Sequence, residues 1–192
     1  MKRKRVGVLI SGRGSNMAAL VEAVRDPAYP AEIVCVVSNR PDAAGLKFAQ
    51  SRNISTHVID HKSYTTREAF DAALNDYLQS QKLDLIACAG FMRVMTSVLL
   101  EPWAGKMINI HPSLLPLYRG THTHERALAD GVKVHGCSVH YVTEELDSGP
   151  VIARAEVPVL PGDTPETLSA RVLVEEHNLY PKALAIAASR IT

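Results

Sequence analysis

Residues 107–120 read Met-Ile-Asn-Ile-His-Pro-Ser-Leu-Leu-Pro-Leu-Tyr-Arg-Gly, and they concentrate chemistry more than any other stretch of the chain. Asn109 and His111 lie two apart, so on a strand both side chains leave the same face. Pro112 denies the sheet a backbone donor, which predicts a strand ending there with the pair at its carboxyl end. Open parallel sheets bind ligands at that end. An amide and an imidazole placed there supply a hydrogen-bond donor and a proton carrier. The same two residues also serve an ordinary turn at a polar strand end, and this stretch alone leaves both readings open.

Two further stretches bear on the choice. Ser11-Gly12-Arg13-Gly14-Ser15-Asn16 follows an apolar run and precedes a helical pattern. Backbone N–H groups at such a turn, aimed from a helix N-terminus, suit a phosphate or another anion. No Gly-Lys-Ser/Thr follows, Met17 occupies the third glycine position of a dinucleotide fingerprint, and Ser38-Asn39-Arg40 replaces its ribose-binding acid. A monophosphate fits better than a dinucleotide; a tight strand-to-helix turn needing glycine fits equally well. The third stretch, Gly136 to Pro150, places Asp147 in a turn rich in Gly and Pro. Asp147 either caps that turn or reaches His111, where a carboxylate would raise the imidazole pKa.

The elements that must position these residues follow from hydrophobic periodicity. Apolar runs predict strands over Arg5–Ile10, Glu32–Val37, Thr56–Ile59, Leu83–Ala89 and Lys106–His111. Helical patterns intervene from Met17 to Val24, Ala43 to Arg52 and Thr65 to Gln81, with a short helix over Ser97–Trp103. Thr65 or Thr66 caps the third of these. Such alternation argues for a parallel sheet covered on both faces. Beyond Gly120, a helix over Thr123–Gly131 precedes alternating strands at Val134–Val142 and Val151–Val159, an antiparallel pair added to the sheet. A last helix opens at Thr164 and runs toward Arg190. The expected architecture is α/β, a single domain over residues 1–192 with a mostly parallel, Rossmann-like sheet.

Composition narrows the function classes. The chain has 192 residues, 46% of them hydrophobic, which is the balance of a globular domain. With 21 basic and 20 acidic residues the net charge is +1, so neither nucleic acid nor an anionic membrane is an expected partner. Cys35, Cys88 and Cys137 are scattered without a C-x-x-C pair, as suits a reducing cytoplasm. The basic start, Met1 to Arg5, precedes an apolar run that is too short for export, and none reaches transmembrane length. The expected location is cytoplasmic. His122-x-His124 with His111, His135 and His140 raises the question of zinc, but no H-E-x-x-H and no companion Cys or carboxylate stands at ligand spacing, so no metal is expected.

Together the motifs resemble one family. Gly12-Arg13-Gly14-Ser15-Asn16, Phe91-Met92-Arg93, Asn109-x-His111-Pro112-Ser113-Leu114-Leu115-Pro116 and Gly136…Leu146-Asp147-x-Gly149 stand in the order and spacing of the phosphoribosylglycinamide formyltransferases. These are folate-dependent enzymes of purine synthesis, and the resemblance covers nearly the whole chain. The Asn-x-His-Pro stretch is shared by the wider formyltransferase superfamily and specifies the chemistry more than the substrate. The resemblance implies 10-formyltetrahydrofolate as co-substrate and the amine of phosphoribosylglycinamide as acceptor. Gly14, Ser15 and Asn16 would hold the phosphate, and Glu176 the glycinamide side. Arg67, Met92, Arg93, Val94 and Met95 would contact the folate with Asn109, and Tyr141, Val142, Thr143 and Glu144 would wrap its ring. Asn109, His111 and Asp147 would be catalytic: Asn109 and a protonated His111 hold a tetrahedral oxyanion while Asp147 raises the His111 pKa. The expected partners are these small molecules, with the protein a monomer or homodimer. Superfamily members that act on aminoacyl-tRNA, or that hydrolyse the folate, carry an added domain for which this chain has no room. Arg119 departs from the family pattern and reads as a surface-loop change.

Overall fold

In the computed structural model, which describes residues 2–191, the first strand sets the pattern for the rest. β1 (Lys4–Ile10) has Val6, Val8, Leu9 and Ile10 fully buried. Val6, Val8 and Ile10 enter one apolar layer and Leu9 the other, as a strand covered on both faces requires. Each such side chain contributes about 1.5–3 kcal/mol of burial.

The elements then alternate: α1 (Ser15–Ala23), β2 (Ala31–Ser38), α2 (Ala44–Ser51), β3 (Ser55–Val58), α3 (Arg67–Ser80), β4 (Leu85–Cys88), α4 (Ser97–Leu100) and β5 (Met107–His111). α5 (Thr123–Ala129), β6 (Val134–Tyr141), β7 (Val151–Pro158) and α6 (Pro165–Arg190) complete the chain. The expected boundaries hold to within a few residues. Thr66, not Thr65, caps α3 by accepting from Ala69 N at 3.1 Å. Thr164 and Thr167 close a reciprocal capping box at the start of α6.

The seven strands run in the order β3-β2-β1-β4-β5-β6-β7. β3, β2, β1, β4 and β5 are parallel; β6 is antiparallel to β5, and β7 to β6. The chain moves outward from β1 to β3 and returns to the other side of β1 at β4. The crevice at the carboxyl ends of β1 and β4 is therefore the topological switch point, where ligands bind in such sheets. The core under α1, α2 and α6 takes Met17, Leu20, Leu46, Leu168 and Tyr180; the opposite core takes Phe70, Leu74 and Leu78 of α3 and Leu99 of α4. Tyr180, fully buried, donates its hydroxyl to Cys88 O at 2.8 Å, tying α6 to the sheet at the edge of the switch point. Among the described residues no helix is long and apolar enough to cross a membrane.

Candidate active site

Ile108 and Ile110 of β5 belong to the core under α6, so Asn109 and His111 leave the other face. The antiparallel register sets Asn109 opposite His140 and His111 opposite Ser138. His140 therefore shares the face of Asn109 and His111, a convergence that only the pairing of β5 with β6 creates. Asp147 completes the group from the turn after β6. It holds φ 49, and Gly149 beside it packs so closely that a Cβ would lie 1.8 Å from Tyr141 O. Only glycine permits that approach, which folds the turn back over the strand end.

Geometry fixes the hydrogens. His111 Nε2 lies 2.9 Å from the Tyr118 carbonyl oxygen. A carbonyl only accepts, so Nε2 carries hydrogen and Nδ1 is the nitrogen left free of that bond. Asp147 Oδ2 stands 3.4 Å from that Nδ1 and accepts from Gly120 N at 2.9 Å. By the same reasoning His140 donates from Nδ1 to the Tyr141 carbonyl at 3.0 Å, and its Nε2 stands between Asn109 Nδ2 at 3.4 Å and Asp147 Oδ1 at 3.6 Å. Asn109 itself lines the cleft that opens over this group.

Electrostatics acts on His111 from two sides. Burial pushes His111 below the ordinary imidazole range; the Tyr118 carbonyl and Asp147 oppose this, while His140 and Arg126 add to it. Asp147 thus pulls in the expected direction, but desolvation of the ring outweighs it. Burial alone would raise Asp147, yet His140, the Gly120 N–H and His111 bring its carboxyl below the usual range, so it stays ionised. An ionised carboxylate beside the ring favours the protonated imidazole, while burial opposes it.

A cleft of about 680 Å³ opens over this group. Of the residues expected to contact a folate, Met92, Arg93, Val94 and Met95 line one wall and Val142, Thr143 and Glu144 the other. Met92, Val94 and Leu146 form an exposed apolar rim. The wall from Gly90 to Thr96 is held at both ends: Met92 N donates to Ser11 Oγ at 2.8 Å, and Thr96 N to Asp71 Oδ2 at 2.6 Å. Asp71, buried on α3 with its carboxyl raised by that burial, was not visible as a site residue in the sequence. Arg67 and Tyr141 do not line the cleft. Arg67 is the exposed first residue of α3, and Tyr141 packs on the α6 core one strand position beyond His140. Arg119 pairs with Glu145 at 2.7 Å, joining the segment before Gly120 to the Asp147 turn.

A second cavity of about 580 Å³ adjoins the first and is lined by Gly12, Arg13, Gly14 and Ser15. Gly14 precedes α1 at φ 70, where no side chain caps the helix, so the first N–H groups of α1 face this space. Asn16 lines both cavities. It donates to Glu176 Oε2 at 2.7 Å across 160 positions of sequence, and its own Oδ1 is buried without a partner. Glu176 is buried, not solvated as helix carboxylates usually are, and burial raises its pKa against the lowering effect of Asn16. Among the described residues no three His, Cys, Asp or Glu side chains converge as a metal site.

Comparison with known proteins adds the lineage. Residues 4–184 match the Formyl transferase family. The chain is 43% identical over 178 residues to phosphoribosylglycinamide formyltransferase of Escherichia coli (strain K12), covering 93% of this chain and 84% of that protein. It is 48% identical over 188 residues to the trifunctional purine biosynthetic protein adenosine-3 of Bos taurus, covering 98% of this chain and only 19% of that much longer protein. The crystal structure of phosphoribosylglycinamide formyltransferase from Brucella melitensis superimposes with a TM-score of 0.94 at 50% identity, covering 100% of this chain and 98% of that one. With the Asn109–His111–Asp147 geometry at the carboxyl end of β5, these matches establish that the chain belongs to the formyl transferase family.

Proposed function

We propose that this protein transfers the formyl group of 10-formyltetrahydrofolate to the amine of phosphoribosylglycinamide, a step of purine synthesis. The observation that carries the reading is the junction of the two cavities at Asn16. An uncapped, glycine-led helix N-terminus suited to a phosphate lies on one side, and an amide–imidazole–carboxylate group suited to acyl transfer lies on the other. The names of the relatives agree with it.

The residues present fit both substrates. Gly14, Ser15 and Asn16 offer backbone N–H groups to the phosphate. Asn16 Oδ1, buried without a partner, and Glu176 supply acceptors for the amine and sugar side. The apolar rim and the polypeptide edges at 92–95 and 142–144 suit a flat heteroaromatic ring. The side-chain amide of Asn109 meets the charge that builds on the formyl oxygen, worth about 3 kcal/mol in such sites. His111 Nδ1 takes the proton from the attacking amine as the new N–C bond forms. Asp147, 3.4 Å away, stabilises the resulting imidazolium. Nδ1 then returns the proton to the departing nitrogen as the old C–N bond breaks, so the amine loses one proton and the leaving nitrogen gains it. The amine is itself the nucleophile, and no covalent enzyme adduct is required.

The test is a spectroscopic assay of 10-formyltetrahydrofolate with and without phosphoribosylglycinamide. Deformylation that needs the ribonucleotide, with formylated ribonucleotide as product, supports the proposal. Deformylation without it makes the protein a hydrolase, and no turnover in either case refutes the assignment.

A further inference from the structure

Turnover through His111 Nδ1 requires that Nε2 stay turned away from the cleft. The Tyr118 carbonyl, 2.9 Å from Nε2, does this from seven residues along the chain. Tyr118 sits at φ 53, a conformation that a bulky residue holds only when its surroundings over-determine it. Those surroundings are explicit. Its hydroxyl donates to Asp130 Oδ2 at 2.9 Å, the Arg126 guanidinium lies 5.4 Å from the ring centroid, and the His135 ring meets it edge-on at 5.8 Å. Arg126 also donates to the Arg119 carbonyl at 2.7 Å. Two residues beyond Tyr118, the Gly120 N–H reaches Asp147 Oδ2 at 2.9 Å. One tripeptide therefore touches both members of the pair, by a carbonyl on the imidazole and by an amide on the carboxylate.

We propose that Tyr118–Gly120 is a positioning brace for His111 and Asp147, anchored by the Tyr118 side chain, which fixes the Nε2-protonated tautomer and leaves Nδ1 to carry the proton. Neither Tyr118 nor Arg126 touches the reacting atoms; they act through the backbone between them. The effect on rate rests on the formyl-transfer reading, whereas the tautomer is a property of the chain itself. The sequence offers no sign of the brace, because its working atoms are backbone atoms.

Two substitutions separate anchoring from folding. Tyr118→Gly keeps the backbone conformation accessible and removes the anchor; Tyr118→Phe keeps the ring and loses only the bond to Asp130. The first readout is nitrogen NMR of histidine-labelled protein across pH, which reports tautomer and titration of His111 directly. Asp147, His140, His124, His135 and Arg126 surround that ring and are the same in both variants, so a shift reports the carbonyl contact. Wild type is expected as the Nε2–H tautomer. Tyr118→Gly should give a mixture of tautomers and a lower titration midpoint. Its kcat should fall about 10- to 100-fold, with KM for both substrates within about twofold. Tyr118→Phe should keep the wild-type tautomer and a kcat within about threefold. A Tyr118→Gly protein with unchanged tautomer, titration and kcat would overturn the brace, as would a rise in KM at constant kcat. A wild-type protein that performs no formyl transfer overturns the function, while the NMR comparison still decides the brace.

Discussion

Replacing Asp147 by asparagine removes a charge and leaves the shape of the site in place. The amide oxygen can still accept from Gly120 N, so the turn that carries residue 147 keeps its tether. What disappears is the attraction for a protonated His111. At 3.4 Å and an effective dielectric of about 20, that attraction is worth at most about 5 kcal/mol. Water at the mouth of the cleft and the sharing of the carboxylate with His140, 3.6 Å from Oδ1, reduce it to about 3 kcal/mol. In the proposed transfer the imidazolium forms only as the amine attacks, so the loss falls on the transition state, on the order of a hundredfold in kcat. KM for either substrate should barely change. The sign on pH follows: with Asp147 neutral, burial acts on His111 with less opposition and its pKa falls further. The assay is kcat at saturating substrates across pH, with His111 titration by NMR and a thermal melt to confirm the fold. A folded Asp147→Asn protein with kcat within about threefold of wild type would refute the charge-stabilised proton transfer.

In the proposed transfer Asn109→Leu removes the amide donor to the formyl oxygen and should lower kcat on the order of 10²- to 10³-fold; steady-state kinetics with little loss would remove Asn109 from the chemistry. His135 supplies a stability test. Burial, aided by His124, depresses its pKa from 6.5 to about 4. A depressed histidine contributes stability that is complete above the unfolded value of about 6.5 and is lost as pH falls toward 4. Urea midpoints from pH 7.5 to 4.5 should therefore drop less in His135→Gln than in wild type, and identical slopes would show that His135 is not the buried titrating group.

Much of this was legible in the sequence, for identifiable reasons. Strand and helix periods reflect local geometry, so the alternation that leads to β5 and its carboxyl end could be read directly. The two-residue spacing placed Asn109 and His111 on one face before any fold was known, and the proline marked where that face ends. Gly14 was legible because only a residue tolerant of φ 70 turns the chain there into an uncapped helix. The same period, applied to β6, separates His140 from Tyr141, but which of the two faces the site depends on how β6 pairs with β5.

Tertiary structure alone decided the rest, because those features depend on distance in space and on desolvation. Asn16 and Glu176 meet across 160 positions. His140 joins the group through strand register, and Arg67 starts α3 at the exposed surface, away from the lining of the cleft. The Tyr118 carbonyl has no sequence signature, since every residue has one. The opposing pull on His111 belongs here for the same reason: a neighbouring carboxylate can be inferred from motif spacing, whereas burial of the ring exists only once the fold has closed around it.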